Sequence, residues 1–371
     1  MTKAGDIPSI LLVDDTRDLL EGLAEGLSKL LPKEVVEIRQ WMPSSNDDTP
    51  QEVFDSKVDL NTILVVTDYD LTSQGVKGLF GLTIVGWCQK RSIPVGDFSR
   101  GNATALPKEP NLFELRIPTA EADAANFIAA AFSGFLAIRD AITGDPDLLT
   151  SKRSLASVLA ALLERPHLDN QFALYMTRIG ASNSSLVQRL RDFADPAESP
   201  DDNDKVQVLT YVLGHVLLNS ILKFPGPILS QRALCAYLGT AETEASALKE
   251  VFAGASYSGP FSGSGDYYWR EDVDLILDEK GEALRDRSFE DFGDMNRAIG
   301  ELALGRELAT HVCERDGCGG KKGGFVCPFT HRPVCQRADC SVAASSWIPQ
   351  GAQLSRVERD FYDEWAPLLG L

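Results

Sequence analysis

The chain has 371 residues, 44% of them apolar and 24% charged, and a formal net charge of −18; these values fit two or three globular domains and exclude a fibrous or low-complexity chain. The acidic balance disfavours broad nucleic-acid binding and adhesion to anionic membranes, because phosphate contacts need clustered Lys and Arg. No run approaches 18 apolar residues and MTKAGDIPSI has no signal-peptide core, so no membrane span is expected and the protein is read as cytoplasmic.

The first third alternates strand and helix signals. Ile10–Val13 is a short apolar run ending in Asp14-Asp15, and Asp18 to Leu31 carries leucines at helical spacing. Val35–Trp41 alternates like a strand, and residues 43–51 are polar enough for a loop. Ile63–Val66 leads to Asp68, Leu79–Cys88 reads as a helix, and Ile93–Phe98 and Leu112–Ile117 read as strands. Ala120–Ile142 is a long Ala-rich helix. This alternation predicts an α/β domain over 1–145 with a doubly wound parallel sheet. In such sheets the working groups lie at the carboxyl ends of strands, where Asp14, Asp15, Asp68 and Ser99 fall.

A mainly helical middle domain is expected over 146–305. After Pro225-Gly226-Pro227 comes a helix, a turn at Gly239 and a second helix, followed by strand-like pieces around the tip SYSGPFSGSGD. The pattern resembles a winged helix. Its second helix carries Glu242, Glu244 and Glu250 where a major-groove reader presents basic or amide side chains, which favours a protein partner over DNA. Cys88, Cys235, His167 and His215 sit in helical patterns and read as core or surface residues.

Phosphoryl transfer to a carboxylate needs an acidic cluster holding a divalent cation, a carboxylate on a rigid element, and a hydroxyl and a cation for the phosphoryl oxygens. Asp14 and Asp15, Asp68, Ser99 and Arg116 are the candidates. The stretches ILLVDDTRDLLEGL, ILVVTDYDLTSQGVKGL and IPVGDFS resemble response-regulator receiver domains over about a third of the chain. The resemblance implies Asp68 as phosphoacceptor and Asp14 and Asp15 with Asp68 around Mg2+, helped by the Asp70 carbonyl. It implies Ser99 as the switch hydroxyl and a histidine kinase upstream. Two departures stand out: ELRIPT offers Arg116 where the family has Lys, and only about 13 residues separate the fourth and fifth strands, so the intervening helix is short or missing. A phosphorylation-independent pseudo-receiver is the other reading. The bland alternative is that Asp14 or Asp15 caps the first helix.

Five of seven cysteines lie between Cys313 and Cys340, within an expected zinc module over 306–371. Short-spaced thiolate pairs separated by a loop are the pattern of structural Zn2+. The symmetric ligand set is Cys313, Cys318, Cys335 and Cys340; Cys327, His331 and His311 are further candidates, as spare residues or as part of a second site. The portion CERDGCGGKKGGFVC is loosely similar to AN1-type zinc fingers, which points to protein–protein recognition. So many thiolates indicate a closed site that folds its module, not a catalytic one.

The expectation from these elements is a signalling or adaptor protein without conventional turnover. Its receiver-like domain takes input, by phosphorylation of Asp68 or by partner docking, and the remainder binds an effector protein or complex subunit. The alternatives are a DNA-binding transcriptional response regulator and a zinc-finger subunit of a ubiquitin-like ligase or other enzyme complex.

Overall fold

The short apolar runs near the start become parallel strands, because a helix between two strands carries the chain back to the end of the sheet where the first one began. The computed structural model describes residues 7–44, 49–72, 79–98, 112–150, 154–176, 186, 189–190 and 201–366. In chain order the first elements are β1 (Ser9–Val13), α1 (Arg17–Leu30), β2 (Glu37–Trp41), α2 (Pro50–Lys57), β3 (Thr62–Asp68), α3 (Gly81–Lys90), β4 (Val95–Phe98), β5 (Leu115–Arg116) and α4 (Glu121–Gly144). The five strands form one parallel sheet in the order β2-β1-β3-β4-β5. This is a doubly wound order, with its reversal of direction at β1 and β3.

The central strands are buried on both faces, as parallel strands require: all of β1 and all of β3 except Asp68 are inaccessible. Alternate residues serve opposite faces. Leu11, Val13, Val65 and Val95 pack with Phe54 of α2 and with Ile84, Val85 and Cys88 of α3. Helix α4 packs against α1 and β3. Helix α2 begins inside the stretch 43–51 that the sequence reads as a loop; Pro50 at its first turn suits a helix start, and Phe54 is its buried residue. The residues between β4 and β5, including Ser99, lie outside the described residues.

Helix α4 is long and apolar enough to cross a membrane by length and composition, with a mean hydropathy of 1.4, which the sequence reading did not anticipate. Half of that window is buried, and the buried residues include Ile128, Phe132, Phe135 and Ile138. Those are the surroundings of a core helix.

Two compact units are found, each assembled from separated stretches of chain. Unit 1 comprises residues 1–158, 179–219 and 259–264; unit 2 comprises 159–178, 220–258 and 265–371. The expected boundaries near 145 and 305 are linear, whereas these units are discontinuous. The further helices, in chain order, are α5 (Asp147–Thr150), α6 (Leu155–Leu162), α7 (Asp169–Ala173) and α8 (Asp202–Val216). Helix α8 packs on α4 within unit 1. Its Gly214 is needed there, since a Cβ would stand 2.2 Å from the Phe135 ring. Phe135 also meets the rings of His215 and Phe261, each at 5.1 Å.

Unit 2 contains β6 (Ile228–Ser230), α9 (Gln231–Tyr237), α10 (Ala245–Val251), β7 (Tyr267–Trp269), α11 (Arg270–Lys280) and α12 (Phe292–Leu304). Ser230 caps α9 by accepting the Ala233 N–H, and Gly239 takes the left-handed turn (φ 65°) that follows. β6 pairs antiparallel with β7, and Ser256 makes a single bridge to Tyr268. The tip expected to project as a wing does not: residues 259–264 belong to unit 1, where Phe261 is buried against Gly134 and Phe135. The remaining elements are β8 (Phe325–Val326), β9 (Pro333–Val334), β10 (Ser341–Val342), β11 (Val357–Glu358) and α13 (Arg359–Trp365). Phe361 of α13 stacks on Phe329 at 5.2 Å, docking the final helix within its own unit. Cys88 and Cys235 are fully buried, and burial pushes both thiols up, Cys235 to about 12.

Phe135→Ala removes the ring shared by α4, α8 and Phe261. It should lower stability by about 3–5 kcal/mol, as read from the urea midpoint of unit 1 unfolding.

Candidate functional site

The acidic group follows from strand register. Val13 lies opposite Thr67 in the β1–β3 pairing, so Asp14 and Asp15 leave β1 where Asp68 ends β3. One carboxylate oxygen from each of Asp14, Asp15 and Asp68 lies within 4.8 Å of the other two. Asp14 and Asp15 are only 6% and 4% exposed. Asp14 Oδ1 accepts the Thr16 N–H at 2.7 Å, and Asp15 Oδ1 accepts the Thr16 hydroxyl at 3.3 Å. These bonds hold the turn ahead of α1, but neither aspartate caps the helix: Thr16 is the N-cap residue, and no side-chain cap bond is made there. The turn does not require a third carboxylate.

Asp68 feels that crowding. Burial first, and then the negative fields of Asp14 and Asp15, push its pKa up to about 6, against the pull of the Tyr69 and Asp70 amides. A divalent cation relieves such repulsion, and carboxylate oxygens suit a hard ion. Asp70 stands apart: its Oδ1 accepts the Thr72 N–H at 3.1 Å and hydroxyl at 2.6 Å, and its backbone bridges to Phe80.

Gly81, which the sequence reading passed over, fixes the end of β3. A Cβ on Gly81 would stand 2.2 Å from the Asp68 carbonyl oxygen. Its N–H donates to Tyr69 O at 2.9 Å. The glycine therefore lets α3 start directly against the backbone of Asp68. The only sequence signal was a glycine at a helix start, which is common and carries little information. Arg116 is exposed on β5, in register with Asp97 of β4. One strand separates it from Asp68, a lateral distance of about 10 Å. Ser99 falls outside the described residues.

The second group is made of sulfur. Cys313, Cys318, Cys335 and Cys340 are at most 4% exposed, and their four Sγ atoms all lie within 4.8 Å of one another. Cys318 and Cys335 Sγ are 3.8 Å apart. A tetrahedron with Zn–S bonds of about 2.3 Å has an edge of about 3.8 Å, so this spacing fits zinc without rearrangement. Gly317, Gly319 and Gly320 take positive φ around Cys318, which allows the chain to fold its sulfur inward. Burial and the neighbouring thiols push the Cys340 thiol up. At Cys318 burial opposes ionisation, but the Lys321 amide and the neighbouring thiols outweigh it and draw the thiol down to about 7. Four donors that compete for charge in this way can bind a metal such as zinc, which takes them all as thiolates.

The other candidates do not join the four-sulfur set. Cys327 is buried, but its Sγ accepts the Glu358 N–H at 3.3 Å. His311 Nδ1 accepts the Gly324 N–H at 2.9 Å, and Gly323 is small enough to admit the ring. His331 donates its backbone N–H to Cys327 O at 2.8 Å with φ of 59°, and burial lowers its imidazole pKa. Among the described residues these three form no second cluster. Among the described residues the buried core around the four sulfurs adds only Cys327 and Val334, with Phe325 and Phe329 against it. No protein-family model matches this chain, and no curated protein matches it.

Cys335→Ser should abolish zinc binding and lose the fold of residues 311–358, while Cys327→Ser keeps one zinc per chain; elemental analysis and near-UV circular dichroism distinguish the two. At the acidic group, Asp68 binds its proton more tightly folded than unfolded, so its contribution to stability falls as pH rises from about 4 to 6. In magnesium-free buffer at pH 7, Asp68→Asn should therefore raise stability by on the order of 1 kcal/mol after solvent screening. The gain should vanish at pH 4 in thermal unfolding.

Proposed function

We propose that this chain is a signalling or adaptor protein in which a receiver-like unit takes input at Asp68 and the winged-helix-like and zinc-binding parts engage an effector protein. The observation that carries the reading is the convergence of Asp14, Asp15 and Asp68 at the carboxyl ends of β1 and β3, in a sheet ordered 2-1-3-4-5. That order and that crevice are where doubly wound sheets hold phosphate-bearing ligands. The receiver resemblance of the same stretches adds to it.

The chemistry follows from the residues. An Asp68 carboxylate oxygen attacks the phosphorus of a donor, a new O–P bond forms, and the bond from phosphorus to the leaving oxygen breaks. With acetyl phosphate the leaving group is acetate and the product an aspartyl phosphate. Asp14 and Asp15 would hold Mg2+, which would offset charge on the phosphoryl oxygens. Gly81 keeps the end of β3 in place, so Asp68 is presented by a fixed backbone. Arg116 is the candidate cation and Ser99 the candidate hydroxyl from the resemblance. A histidine kinase would supply the phosphoryl group in a cell, and a cytoplasmic setting suits both that donor and reduced thiols.

The middle part favours a protein partner. The β6–β7 ladder around α9 and α10 agrees with a winged-helix arrangement. Glu242 and Glu244 ahead of α10 are engaged by Arg232 and Arg306, and the tip that would form a wing is buried at Phe261. A DNA reader needs the reverse: a basic helix and a free wing. Among the described residues the cysteines make one closed four-sulfur group, which likewise suits an interaction module more than a two-metal ligase module.

The purified protein should gain one phosphoryl group from acetyl phosphate and Mg2+, measured by intact mass. Asp68→Asn should gain none. A well-folded wild-type protein that stays unmodified would overturn the phosphoacceptor reading and leave a docking domain.

A further inference from the structure

At the opposite end of the sheet from the carboxylates, unit 1 has a half-open cleft of about 430 Å3. Among the described residues it is lined by the N-terminal end of β3, the turn before β4, the last turns of α4 and the first turns of α8. That volume lies in the range of small-molecule sites. Nothing in the acidic group or the cysteine cluster uses it.

Two features of its wall point to a ligand. Thr210 of α8 is 6% exposed, lines the cleft, and its hydroxyl has no hydrogen-bond partner among the described residues. A buried hydroxyl without a partner is costly, so such atoms are normally satisfied by water or ligand. Arg139 of α4 has a side chain only 20% exposed, and its one ion-pair contact among the described residues is Nε to the adjacent Asp140 at 3.6 Å. The distal guanidinium nitrogens are left with donors to offer. An arginine whose side chain is mostly covered and whose distal guanidinium donors are open is suited to a carboxylate, which it can grip with two parallel bonds. Asp140, 64% exposed, supplies the opposite charge on the same wall. Asn61, Asn203 and Gln207 add amide groups around it.

We propose that this cleft binds a small zwitterion of the amino-acid class, with its carboxylate on Arg139, its ammonium on Asp140 and a polar group on Thr210. The balanced wall selects against simple anions, because Asp140 repels them, and against simple cations, because Arg139 does. β3 runs from this cleft to Asp68, so the site would sit at the base of the strand that carries the acidic group.

The test uses the full chain with zinc retained. Ligand-detected NMR against the proteinogenic L-amino acids, succinate and inorganic phosphate reads binding directly. At least one amino acid should bind saturably, and better than succinate or phosphate. Arg139→Gln should weaken it at least about tenfold, and Thr210→Val about threefold to tenfold. Asp140→Asn, at an exposed position that leaves the fold alone, should erase the preference for the amino acid over succinate. The proposal is overturned if no amino acid binds at about 10 mM, or if Asp140→Asn leaves the preference intact. Phosphate binding alone would overturn it too and mark a plain anion site.

Discussion

The parallel pairing of β1 with β3 is the constraint on which the acidic group depends. It is long, it is buried on both faces, and its register sets Val13 against Thr67. A slip of one residue would exchange the two buried faces of one strand and undo the side-chain fit on both, so the packed apolar residues themselves hold the register. Because the register is held by the core, three carboxylates can be forced together at its end despite their repulsion. Burial of Asp68, and after it the repulsion of Asp14 and Asp15, raises its pKa to about 6. Gly81 completes the arrangement by allowing the next helix to begin where a side chain would collide with Asp68 O.

The cysteine cluster works on the opposite principle. There is almost no core to force anything together: among the described residues the buried cluster consists of cysteines and Val334, edged by Phe325 and Phe329. Small two-residue strands hold the backbone locally. Such a module needs a cross-link or a metal to offset chain entropy. Arg315 and Arg337 lie close enough to Cys340 to feel its charge, which would moderate the net negative charge of a metal held by four thiolates. The ion pair of Arg315 with Asp360, at 2.7 Å, ties the same region to α13.

Each unit is stitched from distant sequence, and this changes what a motif can do. The Gly/Ser-rich tip after α10 reads as a hairpin turn, yet Phe261 within it is buried beside Phe135. Two aromatic residues, Tyr257 and Phe261, both buried, outweigh the turn chemistry around them, because burying such rings stabilises more than a solvated turn does. Helix α2 was hidden for the converse reason. Its single buried residue, Phe54, gives no periodic signal, and the polar stretch before it looks like a loop.

The sequence by itself determined the strand–helix alternation, the carboxyl-end position of Asp14, Asp15 and Asp68, and the symmetric candidates Cys313, Cys318, Cys335 and Cys340. These are properties of local pattern: apolar period, residue type and short spacing. Tertiary structure alone decided that Cys327, His311 and His331 stand outside the four-sulfur set, because spacing places residues along a chain but does not aim side chains. It alone supplied the role of Gly81, the burial of Phe261, and the cleft that gathers Arg139, Asp140 and Thr210. Each of these depends on contacts between segments far apart in sequence, which no local pattern encodes.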